Sequence, residues 1–281
     1  MFQVKNLTKK YEGFTLDNVS FSLPEGLITG FVGANGAGKS TTMRAMLGIV
    51  KPDGGSVSAF GFDMATDELE IKKRVAFSAG GFEYYPYEKA LRVKNVYREF
   101  YPSWNEKTYR GYLEKFGIND DKRIRDFSSG MKVKFSLALA LSHDAEVIVL
   151  DEPTSGLDPI ARDELGDILR EIVSDGKKSV MFSTHITSDL DKCADRILLI
   201  ANGRLLLDED KDAAIENHLL VHGGADELTD ELRKKAIGIK ENEFGFTALV
   251  RREKDDTFED FSTETPNLED LTVFYSGSVR V

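Results

Sequence analysis

The run Leu27-Ile28-Thr29-Gly30-Phe31-Val32-Gly33-Ala34-Asn35-Gly36-Ala37-Gly38-Lys39-Ser40 constrains this chain more than any other. Its first six residues are short and mostly apolar, as a buried strand is, and residues 40–47 carry apolar side chains at helical spacing. Between them lies G-x-x-x-x-G-K-S, whose glycines let backbone N–H groups approach a ligand unobstructed. A strand, a glycine-rich turn and a helix in that order make a loop that cradles phosphate, with the positive end of the helix aimed at the anion. Lys39 reaches the β- and γ-phosphates as a point charge, and Ser40 offers its hydroxyl to Mg²⁺. The residues expected on the nucleotide are Gly33, Ala34, Asn35, Gly36, Ala37, Gly38, Lys39, Ser40 and Thr41.

A second apolar strand, Val147-Ile148-Val149-Leu150, ends in Asp151-Glu152. Alone, such a run is commonplace. Paired with the phosphate loop, it reads as a strand that presents Asp151 to Mg²⁺ and Glu152 to the attacking water. The rest of the chain fits this frame. Residues 2–7 and 14–23 alternate as strands, residues 88–141 carry helical patterns with Gly117 as a stop, and strands alternate with helices again over residues 146–200. The fold class expected is α/β: a P-loop NTPase core with a mainly parallel sheet, an N-terminal antiparallel β subdomain, an inserted helical subdomain and a small C-terminal α+β appendage. The boundaries expected are 1–210 for the ATPase domain, about 82–144 for its helical part, and 211–281 for the appendage, with a helix over residues 227–235.

Composition narrows the partners. Thirty-seven basic against 48 acidic side chains give a net charge of -11, which argues against broad attraction to nucleic acid or anionic lipid. Cys193 is the single cysteine, so no intrachain disulfide forms, in keeping with a reducing cytoplasm and a packing role. No apolar run approaches the length that spans a bilayer, and the first residues lack the apolar core of a secretory signal. Any membrane role is expected to come through a partner.

With these residues the sequence resembles the nucleotide-binding subunits of ABC transporters over roughly residues 1–210. Phe127-Ser128-Ser129-Gly130-Met131 is similar to the signature loop, and the resemblance implies that Ser128 and Gly130 bind the γ-phosphate held by another subunit. Outside this context Ser128 reads as an ordinary helix cap. Ser155-Gly156-Leu157-Asp158 resembles the D-loop, although Asp158-Pro159 also suits a plain helix start. Phe182-Ser183-Thr184-His185 resembles the switch strand, with His185 on the γ-phosphate, and Tyr11 resembles the aromatic that stacks on adenine; a strand-end histidine and an aromatic between strands are otherwise structural. The resemblance implies ATP and Mg²⁺ as ligands, a head-to-tail homodimer or heterodimer with another ABC ATPase subunit, and an integral-membrane permease as partner. It places the chain in the cytoplasm, peripheral on the inner face of the cell membrane.

Two departures stand out. The family's glutamine after the strand Val75-Ala76-Phe77-Ser78 is missing, since the sequence there reads Ala79-Gly80-Gly81-Phe82-Glu83. The signature loop also has Phe127 for leucine, Ser129 for glycine and Met131 for glutamine. Within the family, Ser129-Gly130-Met131-Lys132, residues 139–144 and Pro266-Asn267-Leu268-Glu269-Asp270-Leu271 resemble bacterial ABC-2-type exporter subunits. That branch includes exporters of phenol-soluble modulin peptides and exporters responding to envelope antibiotics. A soluble regulatory ABC ATPase without a membrane partner is the alternative. No Asn-Lys-x-Asp motif supports a GTPase. The aromatics over residues 82–87 and 100–104 have little basic charge among them, which disfavours nucleic-acid stacking; docking on a membrane partner is the preferred reading, with core packing the other. His218 and His222 stand four apart, as on one helix face, but lack a third ligand and read as surface histidines.

Overall fold

The computed structural model describes residues 1–79, 85–252, 258 and 261–278. In chain order the elements are β1 (Phe2–Tyr11), β2 (Phe14–Leu23), β3 (Ile28–Val32), α1 (Lys39–Met46), β4 (Gly54–Ala59), β5 (Phe62–Asp63), α2 (Glu68–Lys72), β6 (Val75–Ala79), α3 (Ala90–Arg98), α4 (Glu106–Phe116) and α5 (Ser129–Ser142). There follow β7 (Val147–Asp151), α6 (Pro159–Val173), β8 (Ser179–Thr184), α7 (Thr187–Cys193), β9 (Arg196–Ala201), β10 (Arg204–Asp210) and α8 (Lys211–Glu216). The last are β11 (His218–Gly223), α9 (Asp230–Lys235), β12 (Ala236–Asn242), β13 (Gly245–Arg251), β14 (Ser262–Glu264) and α10 (Leu268–Ser278).

Among the described residues the strands build three sheets. The central one runs β10-β9-β3-β8-β7-β6, with β9, β3, β8, β7 and β6 parallel and β10 antiparallel at the edge. Strands buried on both faces need apolar residues at every position, and β3 and β8 are buried throughout. Successive side chains supply opposite faces: Ile148 and Leu150 pack with α5 and α6, while Val147 and Val149 pack with β1, β2 and α1. Phe2, Leu7 and Leu16 of the antiparallel sheet β2-β1-β4-β5 close that second face, each buried side chain worth roughly 1.5–3 kcal/mol.

The helical stretch is set by its caps. Asn105 accepts a hydrogen bond from the Thr108 N–H at 3.0 Å to start α4, and Gly117, at φ 64°, ends it in the left-handed conformation that favours glycine. The C-terminal sheet β12-β13-β11-β14 is wholly antiparallel. α10 ties it to the central domain, since Leu268, Leu271 and Phe274 are buried in one cluster with Leu190 and Cys193 of α7.

Two expectations change here. The helix expected over residues 227–235 starts only at Asp230, because Thr229 caps it by accepting the Leu232 N–H at 3.2 Å. His218 and His222 lie on strand β11, not on a helix, and share a face through the period of two. His218 is no surface residue: it is fully buried, with Nδ1 2.6 Å from the Ala214 carbonyl and Nε2 2.9 Å from the Tyr275 hydroxyl. Burial pushes its imidazole below the usual histidine range. Cys193 is buried as expected, and burial lifts its thiol to about 11.

Candidate functional site

Parallel strands present their carboxyl ends to one side, and loops leaving those ends make a crevice there. Here the glycine-rich loop leaves β3, Glu152 leaves β7 and His185 leaves β8, three consecutive strands of the central sheet. They meet on one cleft of about 670 Å³, walled by Asn35, Gly36, Gly38, Lys39, Ser40 and Thr41, by Glu152, Ser155 and His185, and by Gly13 and Phe14 of the β1–β2 turn.

The loop holds its shape through its own backbone. Gly36 at φ 80° and Gly38 at φ 117° take conformations that side chains disfavour. Ala37 N–H donates to the Ala34 carbonyl at 3.1 Å, and the Ala37 carbonyl accepts from Gly203 N–H at 2.9 Å. α1 then begins at Lys39 with no side-chain cap, so its first amides are free to donate to an anion in the cleft. Gly33 and Ala37 are buried behind the loop, and the Gly33 and Ala34 carbonyls accept from Lys39 Nζ at 2.7 and 3.3 Å.

Lys39 is only 5% exposed, and its ammonium also lies 3.1 Å from Glu152 Oε1. The other oxygen of Glu152 is 2.8 Å from His185 Nδ1, which donates to it. One carboxylate thus bridges the loop lysine and the strand-end histidine. Glu152 sits at φ 50°, a conformation uncommon for a residue with a β-carbon. Asp151, buried at the end of β7, accepts from Ser183 Oγ at 2.7 Å. The donor set suits a triphosphate with a divalent cation: amides and an ammonium for the phosphates, the Ser40 hydroxyl and the Asp151 carboxylate for the metal.

The family model described as ABC transporter matches residues 16–155. The lantibiotic transport ATP-binding protein SrtF of Streptococcus pyogenes is 33% identical over 217 residues, covering 76% of this chain and 93% of SrtF. The bacitracin transport ATP-binding protein BcrA of Bacillus licheniformis is 31% identical over 209 residues, covering 73% of this chain and 68% of BcrA. The chain belongs to the ABC transporter ATP-binding subunits. Its relatives support the bacterial ABC-2-type exporter branch that the sequence resembles. A solved ATP-binding subunit of an ABC transporter superposes with a TM-score of 0.69 at 25% identity, covering 77% of this chain and 92% of its own. The P-loop NTPase fold, with its antiparallel β subdomain, is thereby shared, and family membership implies ATP hydrolysis.

For an ABC subunit, several motif residues sit away from the cleft of their own chain. Ser128 caps α5, accepting the Met131 N–H at 3.2 Å, and neither it nor Gly130 is part of the cleft wall. A β-carbon at Gly130 would stand 3.9 Å from Leu157 and Ala161, so the signature-like loop packs beside the D-loop-like segment. Asp158 caps α6, accepting from Ile160 and Ala161 N–H at 2.9 Å each. Tyr11 is 46% exposed at the end of β1, with Lys9 Nζ 5.6 Å from its ring centre. The aromatic on the cleft is its register partner Phe14, which the sequence alone does not single out. Of the segment 79–83 where the family glutamine is missing, Ala79 ends β6 and residues 80–83 lie outside the described residues. Among the described residues no helix is long and apolar enough to cross a membrane.

Proposed function

We propose that this subunit hydrolyses Mg·ATP to drive an exporter of peptides or envelope-active compounds, working as a head-to-tail dimer on a separate integral-membrane permease. The observation that carries the chemistry is the Glu152 carboxylate held between Lys39 and His185 at the mouth of the phosphate loop. Triphosphate entering the loop meets the amides of Asn35 to Thr41 and draws the Lys39 ammonium off the Gly33 and Ala34 carbonyls onto its β- and γ-phosphates. That exchange frees Glu152 to take a proton from the attacking water, while His185 stays within reach of the γ-phosphate. Ser40 and Asp151 would hold Mg²⁺, which would neutralise charge on the phosphates when bound. Tyr11 at the edge of the β1–β2 turn stacks on the base.

A site made only of these residues is open on the side facing solvent. Ser128, exposed at the start of α5, and half-buried Gly130 line no part of their own cleft and suit the γ-phosphate of another subunit, with Asp158 at the shared face. The partner is a second copy or a different ABC ATPase subunit. The division proposed is residues 1–210 for the ATPase domain, with its helical part near 82–144, and 211–281 for the accessory domain.

Exposed Tyr85, Tyr87, Val96 and Phe100 on the helical part support an apolar docking surface for the permease, and the proposal puts the subunit on the cytoplasmic face of the membrane. Lantibiotic and bacitracin transport by the relatives SrtF and BcrA support an antibiotic or peptide cargo. Purification of the native complex from detergent-solubilised membranes tests this reading. An integral-membrane protein that co-purifies in fixed ratio is expected; a subunit that hydrolyses ATP and emerges alone under gentle conditions favours a soluble regulatory ATPase instead.

A further inference from the structure

Resting on the proposed role of Glu152 as base, we propose that Ser183 is a positioning residue for ATP hydrolysis, holding the Glu152 turn so that the carboxylate points into the cleft. Asp151 and Ser183 are register partners at the ends of the parallel strands β7 and β8. Ser183 is fully buried, and its Oγ donates to Asp151 Oδ1 at 2.7 Å while accepting the Glu152 N–H at 2.9 Å. A hydroxyl has one proton and two lone pairs. Giving the proton to the Asp151 carboxylate fixes the rotor and turns a lone pair toward the Glu152 amide.

Asp151 is the last residue of β7 paired with β8, so this side-chain bond continues the ladder where backbone pairing stops. The chain then turns at once, with Glu152 at φ 50°, and from that conformation its carboxylate reaches Lys39 and His185 together. An uncommon backbone conformation persists when its surroundings over-determine it. Ser183 supplies one such tether from inside the core, in addition to the two contacts made by the carboxylate itself. Without the hydroxyl the Glu152 turn relaxes, and the base loses its aim while the phosphate loop, built on other strands, keeps its form.

The test compares the parent with S183C, which keeps the side-chain shape with a slightly larger atom that bonds weakly, and with S183A, which removes the bond without adding bulk. The rate of cleavage of bound ATP is measured with enzyme in excess, and ATP affinity is measured with a fluorescent analogue. The expected result is a cleavage rate lower by about tenfold or more, with affinity changed by less than about twofold, as for loss of an interaction that matters only in the transition state. Adding S183C to E152Q is expected to leave the residual single-turnover rate of E152Q within about twofold, because both changes remove the same function. S183C and S183A at the parental rate, or S183C and E152Q losses that multiply, would overturn the positioning role while leaving Glu152 as base. E152Q at the parental rate would overturn the proposed function and this inference together.

Discussion

The ammonium of Lys39 stands 3.1 Å from a carboxylate oxygen of Glu152, joining the first residue of α1 to the end of β7. Both groups are shielded, at 5% and 22% exposure, so each offsets the other's charge. Lys39→Ala removes the charge that triphosphate would meet. ATP hydrolysis is expected to fall by about 100-fold or more, as when a preorganised electrostatic group is deleted, measured as phosphate release at saturating Mg·ATP. A parental rate would show that Lys39 serves only to neutralise Glu152.

The glycines of the loop separate by cause. A β-carbon at Gly33 would stand 2.4 Å from the Ile200 carbonyl oxygen, whereas one at Gly36 meets nothing within 4 Å but must accept φ +80°. Gly33→Ala is expected to destabilise by about 1–3 kcal/mol through overpacking, and Gly36→Ala by about 1 kcal/mol through backbone strain. Urea unfolding decides it: an unchanged midpoint for Gly33→Ala contradicts the packing described.

Asp158 separates capping from chemistry. Its carboxylate accepts two backbone N–H groups at the start of α6, so Asp158→Ala is expected to cost about 1 kcal/mol of stability. Asp158→Asn retains an accepting oxygen and is expected to stay within about 0.5 kcal/mol of the parent. If Asp158→Asn keeps its stability but loses ATP turnover, the carboxylate acts beyond the cap.

His143, stacked on Tyr101 with ring centres 3.8 Å apart, gives a pH signature. Burial drives its imidazole down from 6.5 to about 4, against smaller opposing effects that include nearby Asp144. The unfolded chain therefore takes up a proton that the folded protein resists. The contribution is fully present above pH 6.5 and is lost as pH falls toward 4, by about 3 kcal/mol. His143→Phe keeps a ring against Tyr101 and cannot be protonated, so the difference in stability between parent and variant is expected to change by that amount between pH 7 and 4. A difference independent of pH would contradict a buried neutral His143.

The legible part of this protein was local. Leu27 to Ser40 carries its strand, turn and helix in adjacent residues, and Val147 to Glu152 carries a buried strand and its terminal carboxylates, so both could be read without neighbours. What brings them together was not legible, because Lys39, Glu152 and His185 meet only through the strand order β3-β8-β7. The role of Ser183 is not legible for the same reason: its bonds to Asp151 and Glu152 cross between strands. Phe14 could have been found, since a two-residue turn pairs it with Tyr11. The spacing of His218 and His222 does not tell strand from helix, because four residues suit one face of either.

The most direct measurement is the mass in solution of the Glu152→Gln variant with and without Mg·ATP. Loss of the base while Lys39 and the loop remain should permit binding without cleavage. A dimer that forms with ATP, does not form with ADP, and is abolished when Gly130→Arg blocks the signature-like loop is the expected result. A Glu152→Gln variant that binds ATP and remains a monomer, or that hydrolyses ATP at the parental rate, would contradict a composite active site completed by Ser128 and Gly130 of another subunit.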